Sequence, residues 1–276
     1  MHSSSELVLA SQCWRDVDGN AAAAMRYLDR MGELIAGPKQ RSLDLLRLAP
    51  GMSAIDIGCG VGRDAVALAE RVGPAGRVVG LDRSDALIAE ATARAASLGL
   101  PLAFSTGDAQ ALAFADGSFD AARTERVLQH LDDPARAVRE MVRVVRPGGR
   151  IVALEPDWDT VMVAGADLAA TRAVVRHKAD CAVAHGTIGR ELRGLLIETG
   201  CRDVAVELCA LTFDGLALAD RAMGLADSFA GARRAGSVSA DRAAAWWQAL
   251  EANERAGTFF AAMCGVIACA TVGVSP

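Results

Sequence analysis

The chain has 276 residues, enough for one large domain or one domain with an added lobe. Hydrophobic residues make up 52 % of it, yet it has seven Phe and one Tyr, so the core has to be built chiefly from Ala, Val and Leu. A formal charge of −5 excludes a general attraction to nucleic acid or anionic lipid. No apolar run reaches the roughly 18 to 20 residues of a membrane span. The opening "MHSSSELVLASQCWRD" has neither a basic start nor a convincing apolar stretch, and is read as no signal peptide. Seven Cys without a C-x-x-C pair, and four His without zinc-site spacing, give no metal site and point to a reduced, cytoplasmic protein.

In chain order, residues 16 to 48 read as one or two helices. "SAIDI" is a short apolar strand closed by glycines, and "RDAVALAERV" carries apolar residues at helical spacing up to the Gly73-Pro74 stop. "GRVVGLD" is a second strand. The helix "SDALIAEATARAASLG" follows, with Ser84 as N-cap and Gly99 as terminator. "LAFSTGD" and "SFDAART" are the third and fourth strands. "DDPARAVREMVRVVRPGG" is a helix capped by Asp133, with Pro134 in its first turn and Pro147-Gly148-Gly149 at its end. "RIVALEP" is the fifth strand. Residues 165 to 199 are helical, "DVAVELCA" and "GVIACATV" read as strands six and seven, and a helical insertion over about 215 to 257 separates them.

Strands alternating with helices predict a doubly wound α/β fold with a mostly parallel sheet. We read one domain: N-terminal helices over 1–50, a cofactor-binding core over 51–160, cap helices and the sixth strand over 161–261, and the last strand over 262–276. Ligands of such sheets bind beyond the carboxyl ends of the strands. That places Asp56 to Gly62, Asp82, Asp108, Arg123 to Glu125 and Glu155 to Trp158 on one rim.

The stretch "IDIGCGVGRDA" turns from strand to helix through Gly58, Gly60 and Gly62. Such a turn lets a ligand approach the backbone and aims amide N–H groups at it. Dinucleotides and S-adenosylmethionine both fit. The dinucleotide pattern G-x-G-x-x-G, counted from Gly58, would need glycine where Arg63 stands; counted from Gly60 it reaches Ala65, which the looser form allows.

"DIGCGVG" resembles the first motif of the class I S-adenosylmethionine-dependent methyltransferases, with Asp56, Gly58, Gly60 and Gly62 in the matching places. "GLDRS" is similar to the second-strand segment whose acid holds the ribose diol, which would be Asp82, with Arg83 beside it. "GDAQALAFADGSFD" resembles the segment whose acid meets the adenine amino group, here Asp108 with Ala109. "RVLQHLDDPARAVREMVRVVRPGGRIVALEP" looks like the fourth and fifth strand units of the ubiquinone/menaquinone-biosynthesis-like branch. The resemblance implies a seven-stranded Rossmann-like sheet, S-adenosylmethionine as cofactor, and a role for Asp56 at its amino-acid end. Cys59 is read as filler within the cofactor turn. Arg123 or Glu125 could hold the methionine end from the fourth strand, and Tyr27 could close over it from an N-terminal helix.

Transfer from a sulfonium needs alignment, exclusion of water and a proton acceptor where a proton is lost. His177, in "VVRHKAD", is the candidate base and substrate contact; His130, His185 and Asp157 are further candidates. Trp158 in "EPDWDT" could wall the acceptor pocket, and one of Trp246 and Trp247, with Trp246 preferred, could face it. The expected activity is methyl transfer, without a metal, to O, N or C of a small, partly apolar molecule. An inactive cofactor-binding protein on the same fold and a nicotinamide oxidoreductase are the alternatives.

Overall fold

In the computed structural model the structure describes residues 17–164 and 167–273; the leader reading falls on residues outside these. Two helices, α1 (Ala21–Leu34) and α2 (Ala36–Leu45), precede the sheet. Then come β1 (Ser53–Ile57), α3 (Arg63–Val72), β2 (Arg77–Asp82), α4 (Asp85–Ala95), β3 (Leu102–Thr106), β4 (Phe119–Glu125), α5 (Pro134–Val144) and β5 (Val145–Val163). The chain continues through α6 (Leu168–His177), α7 (Ile188–Glu198), β6 (Arg202–Phe213), α8 (Leu216–Met223), α9 (Leu225–Arg234), α10 (Ala240–Ala256) and β7 (Ala261–Thr271).

The seven strands form one sheet in the order β3-β2-β1-β4-β5-β7-β6. Pairs from β3 to β5 are parallel, and β7 runs antiparallel between β5 and β6. β1 and β4 are neighbours whose connections leave in opposite directions, so their carboxyl ends open a crevice. The glycine turn follows β1 at that point.

Local chemistry explains the helices. α3 buries Ala65, Leu68, Ala69 and Val72, one stripe of a 3.6-residue period. Ser84 caps α4 by accepting from the Leu87 amide at 3.1 Å, and Asp133 caps α5 by accepting from Arg136 at 2.8 Å, with Pro134 in the first turn.

One boundary differs from the sequence reading. α5 stops at Val144, not at the Pro-Gly-Gly, because Val145 is already extended (φ −96°, ψ 132°) and pairs with Phe119. The Pro147-Gly148-Gly149 segment instead spans the register shift between the Phe119 and Ala121 pairings. β5 therefore has 19 residues, and with β6 and β7 it forms a long antiparallel arm that carries the cap. The cap helices have a core of their own, around Trp158, Phe213, Met223, Trp246, Leu250 and Met263. No helix among the described residues is long and apolar enough to cross a membrane.

Candidate active site

A cleft lies at the carboxyl ends of β1, β2 and β4, with α1 as its lid. Gly58 and Gly60 line it, with φ +75° and +54°, and Gly62 follows at φ +81°. A side chain is costly in that left-handed region, so glycine is needed for the turn itself. Sterics add to this from inside the protein. A Cβ on Gly58 would stand 2.1 Å from the Val127 side chain, and one on Gly62 would stand 2.6 Å from Phe104. Gly62 does not reach the cleft; it caps α3 and lets the turn pack against β3.

Asp82 ends β2 within the cleft wall. Its Oδ2 accepts from the Gly60 amide at 2.9 Å and its Oδ1 from the Ser84 amide at 3.0 Å, which fixes the carboxylate beside the glycine turn. Burial pushes its pKa up, and those amides oppose the shift. Cys59, Arg83, Asp108 and Ala109 line the same cleft. Cys59 is buried, and burial pushes its thiol well up, so it is no thiolate nucleophile.

The other end of the cleft is a knot of charge. Arg123 is 1 % exposed and donates to Ser42 Oγ (2.9 Å), Asp56 (3.2 Å), Asp64 (3.1 Å) and Glu125. Lys39, from α2, reaches Asp64 at 2.6 Å and Glu125 at 2.8 Å. Burial raises the Asp64 carboxyl, but Arg123 and Lys39 outweigh it and hold the group below its usual range. At Asp56 burial wins over Arg123, and its pKa rises. Arg123, Glu125, Lys39 and Asp64 line the cleft, whereas Asp56 lies behind it and touches it only through Arg123. Asp56, expected at the cofactor's amino-acid end, is therefore not among the residues that line the cleft.

Tyr27 hangs from α1 over the cleft and accepts a hydrogen bond from Arg126, whose guanidinium lies 5.3 Å from the ring centroid. Arg126 is left-handed at φ +57°, a strained backbone for a residue with a side chain. It separates the cleft from a narrower apolar chamber lined by Met31, Leu154, Glu155, Trp158 and Met263. Trp158 is fixed there by donating its indole N–H to Gln129 at 2.8 Å, with Lys178 Nζ 4.4 Å above its ring.

Two expected substrate residues are elsewhere. Trp246 is buried in the cap core, donates to Thr171 Oγ1 at 2.8 Å and stacks on Phe229 at 5.9 Å between centroids. The face of α10 that carries it meets α6 and α9, not the cleft. His177 lines an open groove on the outer side of the cap and packs against Gly231. It reaches neither cleft nor chamber and is no base for chemistry there. Of the other candidates, His130 does line the cleft, but burial, helped by Arg126, Lys178 and Arg83, lowers its pKa to about 3. Asp157 is spent on Arg190 at 2.7 Å. The sequence gives no signal for the side chains of Lys39, Asp64 and Arg126, and it puts Glu155 on the rim without a role. Among the described residues no group of three or more His, Cys, Asp and Glu could hold a metal ion.

A family model described as a methyltransferase domain matches residues 55–153, the span from within β1 to the first half of β5. A 37.1 kDa uncharacterized protein of transposon TN4556 from Streptomyces fradiae is 41 % identical over 239 residues, covering 86 % of this chain and 68 % of that protein. Demethylmenaquinone methyltransferase of Desulfitobacterium hafniense is 37 % identical over 141 residues, covering 48 % of this chain and 54 % of the enzyme. The chain thus spans about half the length of that methyltransferase. Among solved structures, the [4+2]-cyclase SpnF superposes with a TM-score of 0.54 at 24 % identity, over 86 % of this chain and 80 % of that one. Phosphoethanolamine N-methyltransferase 2 of Haemonchus contortus, solved with S-adenosylhomocysteine, superposes with a TM-score of 0.54 at 16 % identity, over 85 % of this chain and 53 % of that one. These two likenesses speak for the fold alone.

Proposed function

This chain belongs to the class I S-adenosylmethionine-dependent methyltransferases, and we propose that it methylates a small, partly apolar acceptor at the mouth of the apolar chamber. The observation that carries the reading is Asp82: a carboxylate fixed by two backbone amides at the end of β2, facing a cleft floored by Gly58 and Gly60. A carboxylate so held can still accept from both hydroxyls of a ribose. Asp108 and Ala109 extend the same wall toward an adenine.

The donor set at the far end suits an amino-acid group. Glu125 and Asp64 present carboxylates to an ammonium, and Lys39 and Arg123 present cations to a carboxylate, all on the cleft wall. S-adenosylmethionine supplies an already activated methyl, so the chain has to align the acceptor and keep water out. Tyr27 and α1 close the cleft from above, and Trp158 and Met263 make the acceptor side apolar. The fold also houses a cyclase, so fold likeness does not choose the reaction. The test is calorimetric titration with S-adenosylmethionine, S-adenosylhomocysteine and NAD, followed by mass spectrometry for methylated products across small phenols, amines and quinols. Binding of NAD in preference to the two sulfur nucleosides would refute the reading.

A further inference from the structure

Glu155 follows the last residue of β5 that pairs with β4 and is fully buried in the wall of the apolar chamber. Its Oε1 accepts from the backbone amides of Val127 and Leu128, each at 2.8 Å. Its Oε2 has no partner among the described residues. A buried carboxyl oxygen left open costs stability comparable to a lost hydrogen bond, so its persistence calls for an explanation. The chamber offers one, because its remaining walls are apolar apart from Arg126 and the Cys209 thiol, and it adjoins the cofactor cleft across Arg126 and Met31.

We propose that the chamber takes the reacting end of an acceptor bearing a hydroxyl or amine, and that Glu155 Oε2 receives the proton lost on methylation; this rests on the methyl-transfer reading above. A carbon acceptor without a protic group would leave Oε2 unmatched in the complex, and a charged acceptor would be desolvated against Leu154, Met263 and Trp158. The balance is simple. The acceptor's oxygen or nitrogen lone pair forms the bond to the methyl carbon, the carbon–sulfur bond breaks with its electron pair kept by sulfur, and the acceptor's proton passes to Glu155. The two amides on Oε1 hold the carboxyl of this chamber-lining residue in one orientation before the acceptor arrives. Burial raises the Glu155 pKa to about 8, partly offset by the Leu128 and Val127 amides, by Arg126 and by the Gln129 amide, so proton acceptance strengthens toward alkaline pH. The ionisable neighbours in the chamber are Arg126, charged throughout, and Cys209, whose thiol burial pushes up.

Phenol and toluene are matched probes, alike in shape and differing in the hydroxyl. Their retention is measured at about pH 9, where Glu155 is ionised and phenol is still mostly neutral, by equilibrium dialysis against the full chain saturated with S-adenosylhomocysteine. The wild type is expected to bind phenol at least tenfold more tightly than toluene. Glu155→Leu should shrink that preference to within about twofold, as expected for loss of a hydrogen bond to a charged group. Glu155→Gln keeps an oxygen for Val127 and Leu128 but turns an NH₂ toward the chamber, so it folds and yet should lose at least threefold of the preference. Equal retention of the two probes by the wild type, undetectable retention of both, or full preference in the Gln variant would overturn the assignment. Affinity for S-adenosylhomocysteine, measured on the same proteins, reports on the methyl-transfer reading separately. Probe discrimination without nucleoside binding would keep the chamber and sink that reading.

Discussion

The carboxylate of Asp82 and the amide of Gly60 meet at 2.9 Å, so the acid that ends β2 and the glycine turn that follows β1 are one rigid unit. The strands explain the meeting, since Ile57 pairs with Leu81 in register and both chains leave the sheet at the same level. A change at either residue therefore disturbs both halves of the cleft floor.

Gly58→Ala should destabilise the protein by about 1–3 kcal/mol, combining a left-handed backbone with overpacking. The Val127 methyl 2.1 Å from the added Cβ is the obstacle. Adding Val127→Ala should recover part of the loss in urea unfolding, and the backbone share should remain. Full stability in the single variant would show that the turn is not as described.

Arg123→Met should cost about 3–5 kcal/mol, the scale for removing one partner from a buried ion pair. It would leave Asp56, Asp64 and Glu125 with only Lys39 among them. Chemical denaturation measures this, and a loss under about 1 kcal/mol would mean that the cluster is solvated.

Glu155 makes stability fall with rising pH. Its folded pKa is raised from 4.5 to about 8, so between those values the native state holds a proton that the unfolded chain has released. Stability from this group is fully present below about 4.5 and is lost as pH climbs through about 8. Glu155→Gln should flatten that slope in melting curves taken across the window. An unchanged slope would place the carboxyl in a more polar setting.

Trp246 and Trp158 should behave differently although both are buried. Trp246→Ala should lower stability by about 3–5 kcal/mol, as for other large aromatic truncations, with S-adenosylmethionine affinity kept within about threefold. Trp158→Ala should reduce acceptor turnover as well. His177→Ala should leave rate and pH profile intact, since its ring packs on Gly231 outside the cleft. A rate loss of roughly a hundredfold there would restore it as a base.

The residues that announced themselves in the sequence are those whose neighbours along the chain do the work. Strand ends, Ser84, Asp133 and the left-handed glycines follow from local pattern, and the rim from Asp82 to Asp108 follows from them. Lys39 gave no such signal, because its partner Glu125 is 86 residues away and only the packing of α2 on the sheet unites them. Trp246 and His177 show the converse. Helical spacing says which residues share a face, but not whether that face meets a ligand or another helix. Glu155 lay in plain view on the rim, and only its orphaned oxygen distinguishes it from a strand-end acid that caps a turn.

The most direct measurement is calorimetric titration of S-adenosylmethionine into the wild type and Asp82→Ala, with circular dichroism confirming that both are folded. The wild type should bind, and the variant should bind at least roughly tenfold more weakly, the scale of hydrogen bonds to a charged group. An equal dissociation constant in the two folded proteins would contradict the placement of the cofactor's ribose on Asp82, and with it the account of the cleft.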